Sequence, residues 1–181
     1  MVSNVFEKLE TERLVLRRVL DSDALMLYNN IYNNFDWYKY YFPISICNFQ
    51  QYKILLNKIN ELYAKNNCFR WGIVEKKSNQ MIGLVQLRGD EYLDKNCKIS
   101  YIIGYNYSKK GYASEAVRKI LEFGFEKVNC DRIEANIVVD NFDSIKLAEN
   151  LGMTYEYTEK DCYKLGNDYY DQKVYTLSRY H

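Results

Sequence analysis

The sequence predicts an α+β domain, with a mixed central β-sheet, helices on both faces and one core. Three observations carry this. Two helices are followed by three strands in succession, at about 69–75, 80–88 and 97–104, and the tail from Thr154 reads as two more. A strand at 97–104 runs through a Lys-Lys-Gly turn straight into an amphipathic helix at 112–127. No internal repeat, low-complexity tract or Gly/Ser linker divides the 181 residues, of which 48% are hydrophobic. Residues 1–181 are therefore expected to form a single domain.

The elements follow in order. Residues 13–18 alternate as a strand, and Asp21-Ser22-Asp23 supplies capping side chains for a helix to about Ile31. Between 28 and 43 lie eight aromatics, Tyr28, Tyr32, Phe35, Trp37, Tyr38, Tyr40, Tyr41 and Phe42. That is too many for one face of a short helix, so some are expected to wall a cleft or an interface. A second helix spans roughly 49–64, and strands follow at about 69–75, 80–88 and 97–104. In the last of these, Cys97, Ile99, Tyr101 and Ile103 alternate with Lys98, Ser100 and Ile102. The helix at 112–127 gathers Ala113, Ala116, Val117, Ile120, Leu121, Gly124 and Val128 on one face, opposite Glu115, Arg118, Lys119, Glu122 and Glu126. A strand at 132–139 and a short helix at 142–150, ended by Gly152, come next. The tail from Thr154 to Arg179 reads as two strands joined around Gly166-Asn167-Asp168.

Composition narrows the function by exclusion. A net charge of +1 gives no electrostatic case for nucleic acid or an acidic membrane. There is no apolar run of membrane length, and Met1–Glu7 lacks the blocks of a signal peptide, so a cytoplasmic protein is expected. The five cysteines, at 47, 68, 97, 130 and 162, are too scattered for a zinc knuckle and read as buried thiols of a reducing compartment. The one histidine is His181, the last residue, which disfavours a Ser-His or Cys-His nucleophile and a histidine-held metal. Walker and Rossmann glycine fingerprints are missing from the sequence. What remains is chemistry without a metal or a covalent enzyme intermediate.

The turn before the 112–127 helix is the most informative stretch. Backbone N–H groups around Gly111, Ala113 and Ser114 sit where the helix macrodipole and unpaired donors favour an anion, and a pyrophosphate fits such a site. An ordinary strand-to-helix connection, in which glycine only permits the turn, is the commoner reading of such residues taken alone.

The run Lys110-Gly111-Tyr112-Ala113-Ser114-Glu115-Ala116 resembles the acetyl-CoA loop of the GCN5-related N-acetyltransferase (GNAT) superfamily. The branch it is most similar to contains the ribosomal-protein N-terminal acetyltransferases of the RimJ/RimL type. Thr11–Arg17 resembles that branch's opening strand. Asp131–Ala135, Asn141–Ser144 and Glu149–Met153 resemble its fifth strand and the helix after it. The resemblance runs from about residue 9 to 178 and implies a GNAT-like fold whose fourth and fifth strands splay around acetyl-CoA.

By that resemblance, Ile102 and Ile103 pair with the pantetheine arm, and an N–H within Ile102–Gly104, assigned to Ile103, stabilises the tetrahedral oxyanion. The phosphates fall to the stretch of Ser108, Lys109, Lys110, Gly111, Tyr112, Ala113 and Ser114. There Ser108-Lys109 replaces the family's usual Trp-Gly. Asn141 and Ser144 match an Asn-x-x-Ser pair beside the pantetheine and sulfur, although Asn141 reads equally as a helix N-cap. Many members carry a tyrosine seven residues after this Asn, where this chain has Ala148, which leaves Ser144 to assist the departing thiolate. Relatives often place a carboxylate where this chain has Lys98, so the general base is sought among Glu91, Asp90 and Asp36, with water as a relay. Trp37 is a candidate for contact with the acceptor. The resemblance implies an N-acetyltransferase without a metal, using acetyl-CoA on an amine such as a protein N-terminus, as monomer or homodimer. A catalytically silent acyl-CoA sensor, or a polyamine or antibiotic acetyltransferase, fits the same residues.

Overall fold

The computed structural model describes residues 7–65, 68–89 and 95–179. Eight strands form one sheet: β1 (Leu9–Glu10), β2 (Leu14–Arg17), β3 (Cys68–Glu75), β4 (Gln80–Gly89), β5 (Asn96–Ile103), β6 (Arg132–Val138), β7 (Thr154–Leu165) and β8 (Asp168–Ser178). Their spatial order is β1-β2-β3-β4-β5-β6-β8-β7. Every neighbouring pair is antiparallel except β5 and β6. The helices are α1 (Ala24–Leu27), α2 (Phe35–Tyr38), α3 (Phe49–Lys65), α4 (Tyr112–Phe123) and α5 (Phe142–Asn150).

Helices cover both sheet faces, as expected. One cluster joins Ala116, Val117 and Ile120 of α4 and Ala148 of α5 to Val85, Ile99, Ile103 and Ile133 of the sheet. The other joins Leu27, Ile31, Tyr32, Tyr52 and Leu56 to Val74, Leu84 and Ile102. Alternation of side chains along β4 and β5 splits one apolar sequence between two cores.

The parallel pair shapes the site. β5 and β6 are in register only at Asn96↔Arg132, Cys97↔Ile133 and Lys98↔Glu134. Beyond that, β6 stays with β8 along its full length while β5 stays with β4, so the two part like a V. A charge ladder closes the vertex: Lys98 Nζ lies 3.3 Å from Glu134, and Arg132 forks onto Glu156 at 2.5 and 2.7 Å.

Several expectations need correction. The two-residue β1 is too short for any periodicity to announce, and it makes β5 and β6 the fifth and sixth strands rather than the fourth and fifth. Asp21–Asp23 forms a 3₁₀ turn, and Asp23 is the third residue of that turn's capping box and gives α1 no side-chain cap. Instead its carboxylate, 2% exposed, takes a bidentate bond from Arg17 and the Leu20 N–H. The first helix continues past α1 as a π-helical turn at Tyr28–Tyr32, and α4 continues likewise at Gly124–Val128. A Cβ at Gly124 would lie 2.7 Å from Ile133 Cδ1, so the helix packs close to β6 at this point and a larger residue would make that side chain shift. The cysteines are not five buried thiols. Cys97 and Cys130 are joined as a disulfide at the vertex of the V, brought side by side by the parallel pairing, while Cys47 and Cys162 are exposed.

Candidate active site

The loop between β5 and α4 is held from outside. Lys109 and Gly111 both take left-handed φ, +58° and +81°, which turns successive N–H groups to one side. Lys109 thus adopts a conformation that glycine holds more cheaply, by about 1–2 kcal/mol. The first helical bond of α4 runs from Glu115 N–H to Gly111 O, so the N–H groups of Tyr112, Ala113 and Ser114 precede it and have no helical partner. Glu115 accepts from the Thr11 hydroxyl, from Arg13 N–H at 2.8 Å and from Arg13 Nε at 2.6 Å. Arg13 also donates to Lys110 O at 3.0 Å and lies 4.6 Å over the Tyr112 ring, whose hydroxyl bonds Glu75. The opening strand thereby acts as a strut for the loop.

Inside the V, β5 exposes one edge. Gly104 N–H bonds Ile82 O at 2.7 Å. The alternation of an antiparallel ladder then turns the N–H and C=O of Ile102 toward β4, and those of Tyr101 and Ile103 toward the opening. Consistent with this, the Trp37 indole donates to Ile103 O at 2.7 Å. Of the N–H groups in Ile102–Gly104, only that of Ile103 faces the cleft. Tyr101 N–H, which sequence reasoning overlooked, does so as well.

Two cavities meet here. The larger, about 670 Å³, runs from Trp37, Ile102 and Ile103 along Ser108, Lys109, Gly111, Ala113 and Ser114 to Phe142, Lys146 and Asn150 on α5. Lys110 and Tyr112 do not line it: the Lys110 ammonium folds back onto Asn106 O, and the Tyr112 ring turns to Arg13. The smaller, about 200 Å³, lies between β5 and β6 under the tip of the β7–β8 hairpin, with Ser100, Asn136, Tyr163 and Gln172 in its wall. Tyr40, Tyr41, Tyr101, Asn141 and Ser144 belong to both and mark their junction.

α5 brings its first turn to that junction. Asn141 Oδ1 accepts from Ser144 N–H at 3.3 Å, so the asparagine does cap the helix, and the Tyr101 hydroxyl donates to Ser144 O at 3.3 Å. Burial pushes the Tyr101 phenol up to about 12, against the bond to Ser144, and it stays protonated at neutral pH. Ala148 packs in the core, away from both cavities. Trp37 stacks edge-on to Tyr105 at 5.2 Å. Asp36 is 88% exposed and pairs with Lys39 at 3.3 Å. Asp90, Glu91 and His181 lie outside the described residues.

The structure thus brings together Ile103, Ser108, Lys109, Gly111, Ala113, Ser114, Asn141 and Ser144. Sequence reasoning missed the small cavity. Its aromatic wall was signalled by the crowding of rings at 28–43, but Asn136, Tyr163 and Gln172 reach it only through the sheet register. Tyr163 is anchored by its hydroxyl to Lys39 O, tying the hairpin to the aromatic segment, and burial raises its pKa. Among the described residues, no group of three or more His, Cys, Asp or Glu is placed to hold a metal ion.

A family model of the acetyltransferase (GNAT) domain matches residues 13–154. The chain is 31% identical over 173 residues to an uncharacterized N-acetyltransferase, p20, of Bacillus licheniformis, covering 94% of this chain and 96% of that protein. It is 27% identical over 178 residues to the ribosomal protein uS5-alanine N-acetyltransferase of Escherichia coli, covering 94% and 90%. It is also 27% identical over 139 residues to the spermidine N(1)-acetyltransferase of Vibrio cholerae, covering 77% and 78%. The fold matches the solved RimL ribosomal L7/L12 α-N-protein acetyltransferase in complex with coenzyme A, with a TM-score of 0.83 at 19% identity over 95% of this chain and 98% of that one. With a splayed parallel pair, an anion-ready loop and a family model spanning most of its length, the chain belongs to the GNAT family of acetyl-CoA-dependent N-acetyltransferases.

Proposed function

We propose that this enzyme acetylates a weakly basic amine, foremost the α-amino group of a protein or peptide N-terminus. The observation that carries the reading is the wall of the smaller cavity, which holds tyrosines, Ser100, Asn136 and Gln172 and no charged side chain. A polyamine's second ammonium would find no counter-charge in it. An α-amine of pKa ~7.8 is already about a fifth free base near pH 7.2, whereas an alkyl amine of pKa ~10.4 is so at only ~0.1%. Among the described residues the smaller cavity offers no carboxylate or histidine as base, which favours the first. The uS5-alanine N-acetyltransferase relative agrees with it.

The larger cavity fits the co-substrate. Its left-handed loop and unpaired first-turn N–H groups suit a pyrophosphate, and the open edge of β5 suits an amide-bearing arm. At the junction the amine lone pair attacks the thioester carbonyl carbon. The N–C bond forms as the C–S bond breaks, coenzyme A leaves as the thiolate, and the ammonium proton passes to water or a base. Ile103 N–H, with Tyr101 N–H beside it, stabilises charge on the carbonyl oxygen, and Ser144 donates toward the departing sulfur. Glu91 remains the candidate base.

A polyamine acceptor is the second reading. It draws on Asp36, Asp140 and Asp143 around the larger cavity and on the spermidine N(1)-acetyltransferase relative. Mass spectrometry of products from mixed free-N-terminus peptides and spermidine decides between them. Peptides acetylated at the α-nitrogen are expected, and spermidine acetylated faster than every peptide overturns the reading.

A further inference from the structure

We propose that Asn136 is the residue that grips the acceptor nitrogen, with Ser100 facing it across the opening of the V. The inference rests on the amine-acceptor reading above and adds the group that orients the nucleophile. Lys98 and Glu134 are the last residues of β5 and β6 in register, and their side chains meet on one face. Two residues further along each strand, Ser100 and Asn136 occupy that same face at the first rung after the strands part. Both line the smaller cavity, and Tyr101, next in sequence to Ser100, stands at the junction with the larger one.

Asn136 Oδ1 is sealed from solvent and has no hydrogen-bond partner. A buried carbonyl oxygen without a donor is destabilising and rare, and the opposite orientation of the amide relieves it. A half-turn about χ2 exchanges the two ends of the amide, so the oxygen can be presented to the cavity. A free amine offers N–H donors and one lone pair. Donating an N–H to Asn136 fixes the lone pair's direction, and the bond strengthens as the nitrogen gains positive charge on attack. A neutral amide suits this task better than a carboxylate, which would hold the amine as an unreactive ammonium.

The test uses Asn136→Leu and Asn136→Asp in the full chain, with an Ala-led peptide and spermidine as acceptors. Thiol release is followed, and acetyl-CoA affinity is measured separately by calorimetry. Asn136→Leu is expected to lower kcat/KM for the peptide by roughly ten- to a hundredfold while acetyl-CoA affinity stays within about twofold. Asn136→Asp is expected to raise the spermidine-to-peptide ratio of kcat/KM at least about tenfold, a change that a packing role would not produce. A folded Asn136→Leu protein with unaltered acceptor kinetics overturns the proposal. If that variant does not fold, an unchanged ratio in Asn136→Asp overturns it. A wild-type enzyme that acetylates spermidine and no peptide overturns the substrate reading instead, and Asn136→Leu is then judged on spermidine.

Discussion

Ser144 and Gly111 illustrate how single atoms set the chemistry. Ser144 lines the junction of the cavities, on a helix turn fixed by Asn141, while Ala148, one turn further along α5, packs in the core and carries no polar group. Ser144→Ala should therefore lower kcat by roughly ten- to a hundredfold with a smaller change in acetyl-CoA KM. An unchanged kcat, with chemistry shown to be rate-limiting, removes the role. Gly111 contributes through its backbone. At φ +81° a Cβ would meet only Arg13 Nη2, at 3.2 Å, so a side chain is sterically tolerated but conformationally strained. Gly111→Val should fold yet bind acetyl-CoA at least about tenfold more weakly, because the N–H groups it aims are displaced. Lys109→Ala and Lys110→Ala should cost less. Calorimetry on the folded variants checks the order, and Gly111→Val binding like wild type would exclude the loop as the phosphate site.

At the scale of elements, the strut from β2 to α4 converts a surface motif into loop geometry. Glu115 is the hub: burial raises its carboxyl pKa, but the bonds from Thr11 and Arg13 outweigh this and leave it below its usual 4.5. A carboxyl depressed in the folded state stabilises above its unfolded pKa, and that contribution is lost as pH falls through the folded value. Glu115→Gln should thus lower the melting temperature by a few degrees at pH 7, for a loss of about 1–2 kcal/mol. The gap to wild type should narrow below about pH 4.5. A gap independent of pH between 3 and 7 would deny the charge its part. The boundaries of α3, α5 and β3 to β6 were legible to within a residue or so, because amphipathic periodicity registers burial directly. The Thr11–Arg17 motif was legible as a pattern, but its purpose was not, since Glu115 lies about a hundred residues away in sequence. The π-helical turns and the Cys97–Cys130 pairing escaped for the same reason, being set by what packs alongside. The loop half of the site was readable because one contiguous segment builds it. The smaller cavity was not, because Tyr40, Asn136 and Tyr163 converge only when the sheet assembles.

For the whole molecule, the V between β5 and β6 matters because two cavities of different lining meet there, one for each substrate on the reading proposed above. The larger cavity is lined by Lys109 and Lys146 and by Asp36, Asp140 and Asp143, whereas the smaller one is uncharged and tyrosine-walled. On the reading proposed above, the proton on the acceptor has to be lost before attack, and among the described residues no histidine or carboxylate lines the smaller cavity. The acceptor's own ionisation is then expected to govern the pH dependence. For an Ala-led peptide, kcat/KM should rise about tenfold per pH unit and level off near pH 8, tracking an α-amine pKa of ~7.8. Replacing the leading residue so that the α-amine pKa falls by about one unit should move the midpoint down by the same amount. If Glu91 or another protein group is the base, the midpoint instead stays fixed while the acceptor changes. Initial rates across pH 6 to 9.5 with two peptides of different α-amine pKa distinguish the cases, and a midpoint that ignores the acceptor would place a titrating base in the enzyme.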